Sequence, residues 1–306
     1  MLALLSPTST MRVASVYPKS DVDSFEAAFA CYRAEINDTA ITSACIAIAS
    51  PIVGDAIAMT NLPWAFSIAQ ARKDLSLDQM HVINDFHAVA LGTCELTATD
   101  LASIKSGRNR VVLGAGTGLG VAGLTYCSSA QTWLAISGLG GHVNLAASDS
   151  YEVALIDSAR AKFGYVSAEI FLCGRGLVNL YHAVCDVEGQ LPNQVPNDYS
   201  PADITERGLQ GADPLCEKTL AAFCGFLGAV SGNLALTFGA RGGVFVAGGI
   251  VPRFVDYVRN STFNDRFGHK GPMSDFVADI PVDAVMHGAT GLLGAAYYAR
   301  GIAASN

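Results

Sequence analysis

The chain has 306 residues, 51% of them hydrophobic and only 15% charged, with a formal net charge of −8. That length holds one large core or two ordinary ones, and the composition excludes a disordered tail protein. Lys and Arg are scattered rather than clustered, which excludes a nucleic-acid partner and leaves small anions to backbone amides or a metal ion.

In chain order, strand signals fall at Leu2 to Leu5, Met11 to Tyr17, Ser43 to Ala49, Asp55 to Thr60 and His81 to Asn84. Helical periodicity occupies Val22 to Ala34 and Ser67 to Lys73. The apolar opening Met1 to Leu5 is too short for a signal-peptide core, has no basic start, and reads as a strand that can form a hairpin with the next across Ser6 to Thr10. After a polar stretch around Thr97 to Asn109, a second unit carries strands at Arg110 to Leu113, Val121 to Tyr126 and Thr132 to Ser137. Helices follow at Tyr151 to Phe163, Leu177 to Val187, Pro201 to Leu209 and Pro214 to Phe238. A strand at Gly243 to Ala247 with a Gly248-Gly249 turn precedes a final α/β tail. Two α/β lobes with a cleft between them is the economical architecture.

Two features test the class of protein. Thr219 to Ala240 is uncharged for 22 residues and contains Gly228-x-x-x-Gly232, which formally meets the length of a membrane span. Ser231, Asn233 and Thr237 interrupt it, so a buried glycine-rich helix is the expectation and no membrane partner is assigned. The eight cysteines form no C-x-x-C pair and read as reduced core residues of a cytosolic protein, with no metal site assigned.

The most informative motif is Gly114-Ala115-Gly116-Thr117-Gly118-Leu119-Gly120, a glycine-dense turn between two strand signals. A dinucleotide fingerprint would open a helix here and a Walker loop would end in Gly-Lys-Ser or Gly-Lys-Thr; neither context is present. Glycines let backbone amides approach an anion and Thr117 adds a hydroxyl, so the turn is either a phosphate-gripping hairpin or an ordinary β-turn. Asn84 and Asp85 follow an apolar strand, at the end where open α/β sheets present ligand groups; Asp85 is either a proton acceptor or the N-cap of a helix over His87 to Leu91. Gly138-Leu139-Gly140-Gly141-His142 implies a tight bend that exposes His142 to a polyhydroxy ligand or leaves it satisfied in the core. Ser167 can cap a helix with Glu169 in its first turn, and that capping reading ranks above a catalytic one.

Taken together these residues resemble bacterial glucokinases, within the hexokinase and actin-like ATPase superfamily. The stretches that carry the resemblance include Cys45 to Phe66, Ile83 to Phe86 (INDF), Gly114 to Ala122, Gly140 to Val143 (GGHV), Gly176 to Tyr181 (GLVNLY), Asp203 to Arg207 (DITER) and Gly242 to Phe254. The resemblance implies a two-lobed α/β actin-like ATPase (ribonuclease H-like) fold with an interlobe cleft. It assigns 1–96 plus 290–306 to a small lobe and 97–289 to a large one. It implies transfer of the γ-phosphate of Mg-ATP to the 6-hydroxyl of glucose, in a cytoplasmic homodimer that serves glycolysis. By position, Asp85 matches the general base and Asn84 a sugar-binding amide, while His142 and Glu169 match sugar-hydroxyl ligands. Gly114, Gly116, Thr117 and Gly118 match the second phosphate loop, and Gly248 and Gly249 the adenosine turn.

Two departures accompany the match. Similar chains carry a sugar-binding glutamate before Gly-Gly-His where this one has Leu139, and they begin with a strand and an Asp-Gly-Gly-Thr loop that occurs nowhere here. Met1 to Leu5 takes up where that loop would end, so the start is truncated or the protein degenerate, with a weakened small lobe and poor kinase activity expected. The alternatives to a glucokinase are a non-catalytic sugar-binding pseudokinase and a kinase for a different sugar.

Overall fold

The computed structural model describes residues 1–5, 11–18, 21–37, 41–59, 62–96, 107–191, 196 and 198–303. It divides into two compact units, one of 1–97, 133–137 and 287–306, the other of 98–132 and 138–286.

The first unit opens with an antiparallel pair, β1 (Leu2–Leu5) and β2 (Met11–Ser15), as expected; the connection at Ser6 to Thr10 lies outside the described residues. Helix α1 (Phe25–Ile36) starts where the Ser24 hydroxyl accepts the Ala27 N–H at 3.1 Å, a cap worth about 1 kcal/mol. Strand β3 (Ser43–Ile48) precedes a short antiparallel pair, β4 (Ala56–Ala58) and β5 (Ala65–Ser67). Helix α2 (Ile68–Asp74) follows, capped by the Ser67 hydroxyl on the Gln70 N–H. Next come β6 (Gln79–Asn84), parallel to β3 with Ile48 opposite Asn84, and α3 (Asp85–Gly92). Phe25, Phe29, Leu75, Leu77 and Met80 form the core beneath these elements.

The second unit begins with β7 (Asn109–Ala115) and β8 (Leu119–Cys127), antiparallel, with Gly114 opposite Gly120. Strand β9 (Thr132–Gly138) has its two ends in this unit and its middle, Trp133–Ser137, in the first. Helices α4 (Ser150–Phe163), α5 (Gly174–Val187), α6 (Pro201–Leu209) and α7 (Pro214–Phe238) follow. Their sequence signals are legible: α6 has a Ser200–Asp203 capping box, and α7 has the Asp213 cap, Pro214 in its first turn and Gly239 beyond its end at φ 55°. Strand β10 (Val244–Ala247) lies between β7 and β11 (Val282–Ala284), parallel to both, after which short helices α8 (Val255–Asn260), α9 (Phe263–Gly268) and α10 (Ser274–Ala278) complete the unit.

Leu113, Phe171, Leu180, Phe223 and Phe226 are fully buried in the core of the second unit. Helix α7, the described helix long and apolar enough to cross a membrane, has 72% of its most apolar window buried inside the protein. Its apolar character therefore serves the core, as expected.

Helix α11 (Thr290–Ala303) returns the chain to the first unit and crosses α3 at backbone contact. A Cβ on Gly294 would lie 1.6 Å from the Ala88 carbonyl oxygen, and one on Gly92 would lie 2.0 Å from that of Thr290. Only glycine permits this approach, which fixes the helix that begins with Asp85.

Candidate functional site

The glycine turn is a true hairpin tip. Gly116 N–H donates to Gly118 O at 2.9 Å, Thr117 is exposed between them, and Gly114 on β7 faces Gly120 on β8. It stands at the carboxyl end of β7, beside the parallel β10, whose Ala247 is in register with Gly114. The turn after β10 touches it. Gly248 has φ 92° and a Cβ there would fall 2.3 Å from the Ala115 carbonyl oxygen, while Gly249 is exposed next to it. Two glycine turns thus share one end of adjacent parallel strands, the place where α/β sheets expose backbone amides to ligands.

Two further segments converge on the hairpin. Gly140–His142 forms a single 3₁₀ turn, in which His142 N–H donates to Leu139 O at 2.9 Å. The Gly-Gly pair answers a close approach rather than an unusual backbone: a Cβ on Gly141 would sit 2.0 Å from Leu119 O, and one on Gly140 would sit 2.9 Å from the Val121 side chain. His142 is exposed, which removes its core alternative, and its carbonyl accepts the Tyr165 hydroxyl at 2.9 Å. Leu139 beside it is 59% exposed.

The second segment carries Glu169. Ser167 makes no side-chain cap to the short 3₁₀ turn Ala168–Ile170, so the capping reading is corrected. Ser167 is instead buried and bridged antiparallel to Asn144. Glu169 turns to the hairpin: its Oε2 accepts the Leu119 N–H at 2.9 Å and its Oε1 accepts from the Arg175 guanidinium at 2.7 Å. Gly118 leaves room for this, since a Cβ there would be 2.5 Å from Glu169 Oε2. Helix α5, read from sequence as starting at Leu177, starts at Gly174, whose N–H donates to Gly116 O at 2.8 Å. That early start and the Arg175 contact escape sequence reasoning, because Gly-Arg-Gly has weak helix propensity, the Gly174 partner Gly116 is remote in the chain, and Glu169 reads locally as a capping residue.

A largely apolar cavity of about 270 Å³ lies nearby in the same unit, lined by Leu177, Thr205 and Leu209 with Ile250 and Phe254 just past the second glycine turn. Glu206 and Arg253 add charge to its walls. A flat aromatic ligand group suits such a slot.

Asn84 and Asp85 belong to the first unit. The helix cap is Asn84, not Asp85: its Oδ1 accepts the Phe86 and His87 N–H groups at 2.9 and 3.2 Å. Asp85 is therefore the first helical residue, half-buried, with its Oδ1 also within 2.8 Å of the Phe86 N–H. Burial pushes its carboxyl above the usual aspartate range, opposed by the hydrogen bonds from the Phe86 amide and the Asn84 side chain. Behind it, His87 Nδ1 lies 2.8 Å from Ser137 Oγ and its ring meets Tyr298 edge-on; burial lowers its pKa.

The glucokinase family model matches residues 2–302. A glucokinase of Saccharophagus degradans is 48% identical over 259 residues, covering 83% of this chain and 79% of that protein. One of Cronobacter sakazakii is 44% identical over 292 residues, covering 94% and 89%. The crystal structure of a glucokinase from an Antarctic psychrotroph superposes with a TM-score of 0.83 at 33% identity, over 94% of this chain and 89% of the other. Matched by that family model over nearly its whole length and by relatives at 44–48% identity, the chain belongs to the glucokinase family.

Proposed function

We propose that the protein transfers the γ-phosphate of ATP to the 6-hydroxyl of glucose, with Asn84, Asp85, His142 and Glu169 serving the sugar and the two glycine turns serving the nucleotide. The observation that carries this reading is the Glu169–Leu119 contact, which sets a carboxylate suited to sugar hydroxyls directly on a hairpin suited to phosphate. Gly114, Gly116, Thr117 and Gly118 form the turn that takes the phosphates, with the exposed Thr117 offering its hydroxyl, and Gly248 and Gly249 take the adenosine, with the adjoining apolar cavity for its base. Asp85 accepts the proton of the 6-hydroxyl as its oxygen attacks the γ-phosphorus and ADP leaves. Its raised affinity for a proton suits that role, and the Asn84 cap fixes the strand-to-helix turn from which it projects.

Among the described residues no three His, Cys, Asp or Glu side chains gather into a metal cage. Mg²⁺ carried in with ATP would neutralise phosphate charge; kinase sites commonly hold it through one or two carboxylates besides the phosphate oxygens. The same reading carries a cytoplasmic homodimer feeding glycolysis, without a nucleic-acid or membrane partner, and treats the two compact units as the two lobes.

Exposed Leu139 beside His142 favours one second reading, a kinase for a different hexose, because leucine offers no acceptor to the hydroxyl that a glutamate would bind. Phosphorylation of glucose, mannose, fructose and 2-deoxyglucose at saturating ATP tests both. Highest kcat/KM for glucose supports the first; a tenfold or greater preference for another hexose replaces it with the second, and no transfer to any sugar refutes both.

A further inference from the structure

Arg175 breaks a local rule. It occupies the second position of the 14-residue helix α5, where the helix dipole disfavours a cation, and that helix has neither a side-chain N-cap nor an acidic residue in its first turn. Its charge is met from outside the helix. Arg175 Nη2 lies 2.7 Å from Glu169 Oε1, with the arginine side chain 73% exposed and the glutamate only 13%. The other Glu169 oxygen is held by the Leu119 N–H. The turn between the two residues is itself tight: the Cys173 thiol donates to Glu169 O at 3.2 Å, and a Cβ on Gly176 would fall 2.6 Å from the Phe171 carbonyl.

We propose that Arg175 is a positioning residue of the sugar site, clamping one oxygen of Glu169 while the hairpin amide clamps the other, so that sugar affinity in this chain depends on a solvent-exposed ion pair. The inference rests on the reading of Glu169 as a sugar ligand. A carboxylate has about four lone-pair sites; two are used here, and two remain for a pair of neighbouring sugar hydroxyls. Without the guanidinium the carboxylate keeps a single anchor and turns about it. Because the arginine is exposed, added salt weakens the clamp from the solvent side.

The test is calorimetric binding of glucose to the full chain without nucleotide, at low and high NaCl, for the wild type, Arg175→Ala, Arg175→Lys and Glu169→Gln, with kinetics alongside. Arg175→Ala is expected to weaken glucose binding about two- to fivefold at low salt and to abolish its salt dependence, with Arg175→Lys in between. In turnover the change should appear in the KM for glucose rather than in kcat or the KM for ATP. If Arg175→Ala binds glucose like the wild type with the same salt slope while Glu169→Gln binds it worse, the inference fails and the sugar reading stands. If Glu169→Gln also binds glucose normally, the sugar reading of Glu169 fails with it. A change in ATP affinity alone would assign Arg175 to the nucleotide and overturn the proposal.

Discussion

Replacing Gly118 by alanine displaces the carboxylate on which the functional reading rests. Gly118 lies outside the left-handed φ region, so alanine can adopt its backbone without strain. The new Cβ would stand 2.5 Å from Glu169 Oε2 and 3.3 Å from its Cδ. That clash is with the end of a side chain, and the carboxylate can yield where a backbone could not. The expected result is a folded protein in which Glu169 has left the Leu119 amide. A hydrogen bond to a charged group is worth about 1.5–3 kcal/mol, so if sugar binding needs the carboxylate where it sits, the KM for glucose should rise roughly ten- to a hundredfold. The thermal midpoint should fall by no more than about 5 °C, since the loss is confined to the Leu119 N–H bond. Glucose-6-phosphate formation and a melting curve on the same preparation give both numbers. A glucose KM within twofold of wild type, with normal melting, would refute the assignment of Glu169 in this position.

Other substitutions probe other parts. Leu139→Glu should tighten glucose binding by about 1–2 kcal/mol, measured by calorimetry, because the site is 59% exposed and a carboxylate there loses little hydration. Gly294→Ala should destabilise by about 3 kcal/mol in a denaturant titration, because its Cβ would meet the Ala88 carbonyl at 1.6 Å and force α11 off α3. The pH profile of kcat/KM should fall on the acid side as Asp85 takes up a proton, with that limb above the ordinary aspartate range of about 3.5–4 because burial raises its pKa. The sign for stability is opposite: the Asp85 contribution is full below the unfolded value and is lost as pH rises through the folded one.

Local chemistry decided what could be read in advance. Pro214–Phe238 was legible to the residue because Asp213, Pro214 and Gly239 mark its ends, and the hairpin because glycines separate two apolar strand-like runs. Strands of three residues, such as Ala65–Ser67 and Val282–Ala284, carry too little periodicity to announce themselves. Asparagine caps a helix as well as aspartate, so the sequence reading placed the cap at Asp85, one residue late, and the Phe86 and His87 N–H groups donating to Asn84 correct it. The role of Glu169 was obscured for another reason. Ser-x-Glu resembles a helix start, whereas its governing partner, Leu119, is fifty residues distant. Gly140 and Gly141 were legible as a bend, but the cause is the closeness of β8, which only packing reveals.

The central claim is that Asp85 takes the proton while ATP phosphorylates a sugar bound by the same protein. Its most direct test is glucose-6-phosphate formation from glucose and ATP by the wild type and Asp85→Asn, with glucose affinity measured on both. The account expects turnover by the wild type and a loss of about 10² to 10⁴ in kcat in the variant, with glucose still bound. Equal turnover by the two proteins would contradict it.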